Sequence, residues 1–266
     1  MTDKILFVRL QGMNNLSRQT LTVLENAFRR LEQQVPPPNP TRVKGHVLLR
    51  YREQSIEQAL IQKLARYIST LHATQLLLNH GFVQEQGILQ RTLDELNDDI
   101  FFLAIAITND KITDLHQRYL KAFFAEEFDN PSDPVGSHSD RDIVPRKKIR
   151  AYISRIVGGS SNPSRDLAVS EIVSKVYSGF VHAASPHIME LCDGTPPRFH
   201  LSGMLGTQRI EGYEYDIWNY YYRGLLSTAA IGKAFGDASL VEALLKYSFK
   251  FQEASGRDFG ARPPKA

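Results

Sequence analysis

Cysteine is almost absent from this sequence, because Cys192 is the single one. An internal disulfide and a zinc site built on cysteine both need more thiols than that. The sequence therefore excludes both kinds of cross-link. A chain without disulfides fits a reducing compartment, so we expect a cytoplasmic location.

Long hydrophobic runs are also missing. The longest, Ile100–Ile107, is much shorter than the ~18 residues that a membrane-spanning helix needs. The apolar run Ile5–Val8 is shorter than the hydrophobic region of a secretory signal. We expect neither a membrane span nor secretion, and we interpret Ile100–Ile107 as a core segment.

The sequence lacks a large excess of charge of either sign. Its 32 Lys and Arg and 29 Asp and Glu leave a formal net charge of +3. This charge is too small to make the whole molecule a binder of polyanions. An apolar share of 42% and a charged share of 23% are typical of a globular protein. The chain should fold, and any contact with RNA must depend on a local patch.

Motifs that bind cofactors or metals are absent as well. The nearest match to a phosphate-binding loop, Gly232-Lys233, continues into Ala234 instead of Ser or Thr. No glycine-rich turn joins a strand to a helix, and no Gly-x-Ser-x-Gly sequence surrounds a nucleophile. No histidine follows an Asp or Glu by three residues, as in di-iron bundles. We expect no cofactor and no metal.

The sequence does have apolar spacing typical of helices. β-strand alternation is absent beyond residues 4–9. We predict an all-α fold, a helical bundle of about seven or eight helices, with Asn14-Asn15 capping the first and Ser164 capping a later one. The predicted helices are residues 14–35, 44–79, 82–109, 112–128, 145–157, 164–191, 211–235 and 239–254.

Loops divide these helices into groups. Residues 129–145 are rich in Asp, Pro, Ser and Gly, which indicates an exposed connection. We predict a main helical bundle over residues 1–206, a C-terminal helical pair over 207–255 packed on it, and a loose tail over 256–266. Together they form one compact domain.

Arg91 and Glu95 lie four apart on the third predicted helix, and Asp98 extends their stripe towards its apolar half. Two interpretations stay open. The pair is an exposed ion pair within the helix, or it lies at the rim of a cavity in the bundle.

Ser178 and His182 share one face of a later helix, because they are four residues apart. Gly179 lies in mid-helix, where glycine costs ~1 kcal/mol relative to alanine. We predict that another helix or a ligand approaches Gly179 closely. Either His182 is a core histidine, or it faces Arg91 and Glu95 and forms a proton-transfer or phosphate-binding cluster with them.

A resemblance adds to these observations. The motifs Arg91-x-x-x-Glu95 and Ser-x-x-Val-His, which spans Ser178 to His182, resemble a pair found in an uncharacterised, all-helical family of bacterial proteins. That family is distantly similar to the HEPN class of helical ribonucleases. The resemblance covers residues 60–190. It implies a helical bundle, a bacterial or phage source, and roles for Arg91, Glu95, Ser178 and His182.

The HEPN class needs Arg and His four to six residues apart, to steady phosphate charge and to move protons. Arg66 and His72 have this spacing. The alternative is a surface arginine beside a partly buried histidine.

A basic cluster of Arg146, Lys147, Lys148 and Arg150 begins another predicted helix. Cations at a helix start oppose the helix dipole, which favours an external anion such as RNA as their partner. The alternative is a solvated charged face.

Aromatic residues are concentrated near the C-terminus and cover more than one face of a helix, so some should be exposed or in an interface. We therefore predict a protein partner or a homodimer through the C-terminal helices. The residues are Tyr213, Tyr215, Trp218, Tyr220, Tyr221 and Tyr222.

Two functions follow as hypotheses. The first is a helical interaction or regulatory protein of a bacterial cell, in defence or stress, acting without a cofactor. The alternative is a metal-independent, HEPN-like ribonuclease. In that enzyme His182 or His72 moves the proton, and Arg91 or Arg66 steadies the phosphate.

Overall fold

The computed structural model describes residues 2–43, 46–128, 130, 133, 135–137, 141–157, 172–173 and 175–259. Residues 2–14, 43 and 157 are described by their backbone alone. Ser164, which was predicted to cap a helix, lies outside the described residues.

The described residues are mostly helical, so the all-α prediction is confirmed. Helices α2 and α3 end within a residue of the predicted positions. Gly81, which lies between them, takes a left-handed φ of 78°, and this conformation ends α2. The helices are α1 (Thr2–Glu32), α2 (Ile56–Asn79), α3 (Val83–Thr108), α4 (Asp114–Phe124), α5 (Arg146–Val157), α6 (described over residues 172–173 and 175–181), α7 (Ser185–Ile188), α8 (Arg209–Ala234) and α9 (Ala238–Ser255).

Two small hairpins correct the expectation that strands are absent. Strand β1 (Asn39–Val43) pairs antiparallel with β2 (His46–Arg50), with Asn39 opposite Arg50. A shorter pair joins β3 (Cys192–Asp193) to β4 (Arg198–Phe199). Each hairpin uses few residues, which is why no long alternation of apolar and polar residues marks it in the sequence.

The first hairpin also corrects the predicted start of the second helix. That helix begins at Ile56 instead of residue 44, because Ser55 and Gln58 form a capping box at this point. Residues 36–40 contain four prolines, which cannot continue a helix. The chain after them therefore turns back as a hairpin.

Helix α1 begins much earlier than predicted. It is continuous from Thr2 to Glu32, so Asn14-Asn15 does not cap it and residues 4–9 do not form a strand. A short apolar run has the same appearance in a strand and in a helix. Asparagine inside a helix costs only a fraction of a kcal/mol, so it does not force a helix start.

One hydrophobic core joins the long helices. Its fully buried members include Leu24 of α1, Leu64 of α2, Ile100 of α3, Leu225 of α8 and Phe251 of α9, each 0% exposed. Helix α8 packs against α1, α2, α3 and α9. The predicted division at residue 206 therefore falls within one core.

The predicted aromatic residues mostly contribute to this core. Trp218 is 3% exposed and packs on Phe251, with ring centroids 5.4 Å apart. Tyr220, Tyr221 and Tyr222 are also buried, whereas Tyr215 is exposed. A homodimer through these helices stays a prediction. Most of the aromatic side chains predicted to form its interface are buried within the chain.

Within the described ranges, no helix combines the length and the apolar character needed to cross a membrane.

Candidate functional site

Four carboxylates lie close together on α3, at Asp94, Glu95, Asp98 and Asp99, and we call them the acidic stripe. Residues four apart share a helix face, so the stripe forms two adjacent rows. Asp94 and Asp99 are buried, at 6% and 0% exposed. A buried carboxylate is costly unless a cation pairs with it. Each of the four meets a cation from another helix.

The predicted pair of Arg91 and Glu95 is an ion pair within α3. Nε of Arg91 lies 3.3 Å from Oε1 of Glu95. Arg146 approaches from α5, with its guanidinium 3.8 Å from Oε2 of Glu95. The side chains of Arg91 and Glu95 are 28% and 33% exposed. The pair thus lies at the edge of the packed region and also contacts a second helix.

The two aspartates at the end of the stripe attach α2 and α5 to α3. Arg146 donates two hydrogen bonds to Asp99, and Nζ of Lys63 lies 2.8 Å from Oδ2 of Asp99. Nε of Arg150 donates to Oδ2 of Asp98 over 2.8 Å. Burial raises the pKa of Asp98 more than Arg150 lowers it. Asp98 therefore depends on Arg150 for its charge.

These contacts divide the basic cluster that begins α5. Arg146 and Arg150 face α3 and pair with the stripe, whereas Lys147 and Lys148 are exposed. The four side chains therefore do not form one surface for an anion. Binding of RNA through the two lysines stays a prediction.

A further set of polar contacts joins α3 to α8. Arg223 donates from Nη1 to Oδ1 of Asp94, and the hydroxyl of Tyr220 donates to Oδ2 over 3.4 Å. Ser227 donates to Oδ1 of Asn97 over 2.8 Å. Asp94, Asn97, Arg223 and Ser227 were not predicted as site residues, and Tyr220 was predicted only as part of an aromatic surface. Asp94 and Asn97 are polar residues in a largely apolar helix, which was the available sign that α3 has buried polar partners. Nothing in the sequence of α8 identifies Arg223 as such a partner.

An open cleft of about 550 Å³ lies beside α6 and α8, and we call it the α6–α8 cleft. Tyr220 and Arg223 line it and also contact Asp94, so the cleft adjoins the acidic stripe. Burial raises the pKa of Tyr177 to about 12, which keeps this phenol neutral. The lining includes Tyr177, Asp216, Asn219, Tyr220, Tyr222 and Arg223, together with Phe259.

Two carboxylates line the described part of the cleft, Asp216 and Asp258. Asp216 makes no hydrogen bond or ion pair with any residue the structure describes. Burial raises its pKa, and the nearby Arg257 lowers the pKa in part. The Arg257 guanidinium lies over the ring of Tyr215, 3.7 Å from its centroid, and donates to the Tyr215 carbonyl. A half-buried carboxylate without a direct partner costs free energy, which an external cation would offset.

The predicted cluster around His182 is not formed. His182 is exposed just after α6, and it has no hydrogen bond or ion pair to Arg91 or Glu95, both of which are described. Ser178 is half-buried, and its carbonyl accepts the backbone N–H of His182 over 3.0 Å.

The close approach predicted at Gly179 is present. A Cβ added to Gly179 would lie 2.0 Å from Cε1 of His187 in α7. The neighbour is a histidine six residues after the end of α6, and the short helix that carries it could not be identified from the sequence. Gly179 therefore serves packing between α6 and α7.

The second predicted pair, Arg66 and His72, is also not joined. Arg66 is exposed, and His72 contacts Glu25 of α1 instead, with Nε2 2.7 Å from Oε1. His72 and Glu25 line a second cleft of about 640 Å³ between α1 and α2, which Ser69 and Arg29 also line. The α1–α2 cleft thus combines a histidine, a carboxylate and an arginine.

Among the described residues, no group of three or more His, Cys, Asp or Glu side chains is arranged to hold a metal ion. Comparisons of the chain with protein-family models, with curated proteins and with solved structures find no match. The resemblance to the helical family with the Arg-x-x-x-Glu motif therefore stays a prediction. The features of the structure that bear on function are the two clefts and the acidic stripe.

Proposed function

We propose that this chain is a helical interaction or regulatory protein that binds a ligand in the α6–α8 cleft. The observation that carries the proposal is Asp216, a partly buried carboxylate in an aromatic cleft that lacks a hydrogen-bonding partner among the described residues. Small-molecule sites are concave and mostly apolar, with a few well-placed polar groups. The α6–α8 cleft has this composition.

The regulatory part of the proposal is supported by the position of the acidic stripe. On one side, Asp94 contacts Arg223 and Tyr220 of the cleft. One helical turn away, Asp98 pairs with Arg150 and so attaches α5. Arg223 also lowers the pKa of Asp98, so the two ends of the stripe are electrostatically coupled. A charged ligand in the cleft would change the electrostatic field around Arg223, and through Arg223 and Asp98 the attachment of α5.

The experiment compares two tryptophan substitutions. Asn219→Trp places an indole in the cleft, and Lys246→Trp places one on the exposed side of α9. Each protein is mixed with a bacterial metabolite extract, and bound mass and melting temperature are measured by native mass spectrometry and calorimetry. We expect a small molecule to bind and stabilise the natural chain and Lys246→Trp but not Asn219→Trp.

Two results would contradict the proposal. One is equal retention of the same small molecules by all three proteins, and the other is retention by none. Circular dichroism of Asn219→Trp must match that of the natural chain, because a misfolded variant would also lose binding.

The ribonuclease alternative is favoured by one observation, the His72–Glu25 contact in the α1–α2 cleft beside Arg29. A histidine held by a carboxylate is an arrangement suited to proton transfer. Incubation with labelled RNA in EDTA tests it, alongside His72→Ala and His182→Ala. Cleavage that His72→Ala abolishes would support the enzyme, whereas the absence of cleavage leaves the binding protein.

A further inference from the structure

The charge of the α6–α8 cleft indicates which class of ligand it takes, an inference that rests on the proposed function. Among the described lining residues, Arg223 is the single cation, and Asp94 pairs with it from α3. Asp216 and Asp258 both contribute negative charge to the lining, and Asp216 has no counter-ion in hydrogen-bonding contact among the described residues. The charge that the cleft offers to a ligand is therefore negative.

The walls of the cleft supply a second attraction for cations. Tyr177, Tyr220 and Tyr222 line it together with Phe259, and aromatic faces attract cations through their quadrupoles. Two arginines already use this interaction beside the cleft. Arg223 lies 5.5 Å from the centroid of Tyr220, and Arg257 lies 3.7 Å from that of Tyr215.

An anionic ligand is the opposite possibility, and the contacts oppose it. Such a ligand would have to draw Arg223 away from the buried Asp94, which would leave that carboxylate without its cation. It would also face Asp216 in the same cleft. Both effects disfavour phosphates and carboxylates.

We propose that the α6–α8 cleft binds an organic cation that carries an amine or guanidine group, with Asp216 as its counter-ion. Asn219 offers a carbonyl oxygen as a further acceptor, and the tyrosine rings surround the apolar part of the ligand. A cleft of about 550 Å³ has room for a diamine or for the side chain of a lysine or arginine. The cation is therefore either a free amine or a basic side chain of a protein partner.

Titration calorimetry with 1,5-diaminopentane, agmatine and butyrate tests the proposal on the full chain. We expect both amines to bind and butyrate not to bind. Asp216→Asn should weaken the amines roughly tenfold or more, because a charge-assisted contact is lost. Glu214→Gln is the matched control, since Glu214 lies two residues away on α8 but does not line the cleft. Its affinities should equal those of the natural chain.

A short peptide with one lysine, and the same peptide with that lysine acetylated, distinguish the two sources of the cation. Tighter binding of the lysine peptide than of diaminopentane assigns the cleft to a protein partner, and the reverse assigns it to a free amine. Either result supports the proposal if acetylation or Asp216→Asn removes the binding.

Failure of the cation inference differs from failure of the proposed function. If a ligand without positive charge binds the natural chain but not Asn219→Trp, the cleft is a binding site and the cation inference is overturned. If amine affinity is unchanged in Asp216→Asn, the counter-ion role of Asp216 is overturned. If nothing binds in a manner sensitive to Asn219→Trp, both proposals are overturned.

Discussion

At position 179, the packing between α6 and α7 leaves no space for a side chain. Ala183, with a φ of 50°, turns the backbone after α6 so that His187 folds back over Gly179. Phe180 meets the His187 ring edge-on, with centroids 4.5 Å apart. On its other side Phe180 lies against Gly87 of α3, where an added Cβ would be 3.0 Å from the ring. These contacts hold α6 on α3.

We expect Gly179→Ala to lower the free energy of unfolding by about 1–2 kcal/mol. Alanine gains ~1 kcal/mol of helix propensity, but its Cβ would overlap the His187 imidazole, and overpacking costs more than that gain. Urea denaturation followed by circular dichroism measures the difference.

Gly212→Ala is the matched control for this substitution. Gly212 also lies within a helix, and a Cβ added there would have no neighbour within 4 Å in the part of the chain that the structure describes. This variant should be more stable than the natural chain by roughly 0.5–1 kcal/mol. If the two alanine variants had equal stability, the steric account of Gly179 would be wrong.

The close approach at Gly179 could be predicted because a glycine in mid-helix has a known cost that something must offset. The neighbour could not be predicted. His187 follows a break in the helix, and the left-handed turn at Ala183 that brings it back has no signal in the sequence. The same limit applies to Asp216, because whether a described residue reaches it with a hydrogen bond depends on how α8 packs.

At the scale of elements, α5 is attached to α3 by charge as well as by apolar contact. Arg146 and Arg150 lie on the face of α5 that meets α3, and Ile149 between them is fully buried. Their spacing of four residues in the sequence places them on one face of a helix. It could not predict that the face meets an acidic helix instead of solvent, because the pairing partners lie about fifty residues earlier.

We expect Arg150→Met to lower the free energy of unfolding by about 3 kcal/mol at pH 7. The substitution removes the cation that pairs with Asp98, whose side chain is only 15% exposed. Removing one partner of a buried ion pair is costly, because the other charge stays buried without compensation. Urea denaturation measures the change. Adding Asp98→Asn should recover part of the loss, because the remaining buried charge is then removed.

Lys148→Met provides the comparison for Arg150→Met on the same helix. Lys148 is exposed, so its replacement should change the stability by less than about 0.5 kcal/mol. A loss in Arg150→Met as small as that in Lys148→Met would show that the ion pair does not hold α5 in place.

At the scale of the whole molecule, one hydrophobic core includes residues of α1 to α5, α8 and α9. The fold class could be predicted because helical periodicity is a local property of the sequence. The α6–α8 cleft could not, because Tyr177 and Arg223 come from segments about fifty residues apart and meet only through the packing of both on α3.

We expect the chain to unfold in one transition. Trp218 is the single tryptophan and lies in α8, so its fluorescence reports the C-terminal helices, while far-ultraviolet circular dichroism reports all helices. Because α8 shares the core of α1, α2 and α3, the two urea midpoints should coincide. An earlier or later fluorescence midpoint would show that residues 207–255 unfold as a separate unit.

The acidic stripe also restricts how this sequence can diverge. Four helices, α2, α3, α5 and α8, meet through carboxylates whose partners are cations on another helix. Replacement of one carboxylate or of one paired cation alone leaves the other charge poorly solvated between helices. Selection should therefore remove most such single replacements. Lineages should therefore change Asp98 together with Arg150, and Asp94 together with Arg223, in steps that preserve or remove each charge pair as a unit.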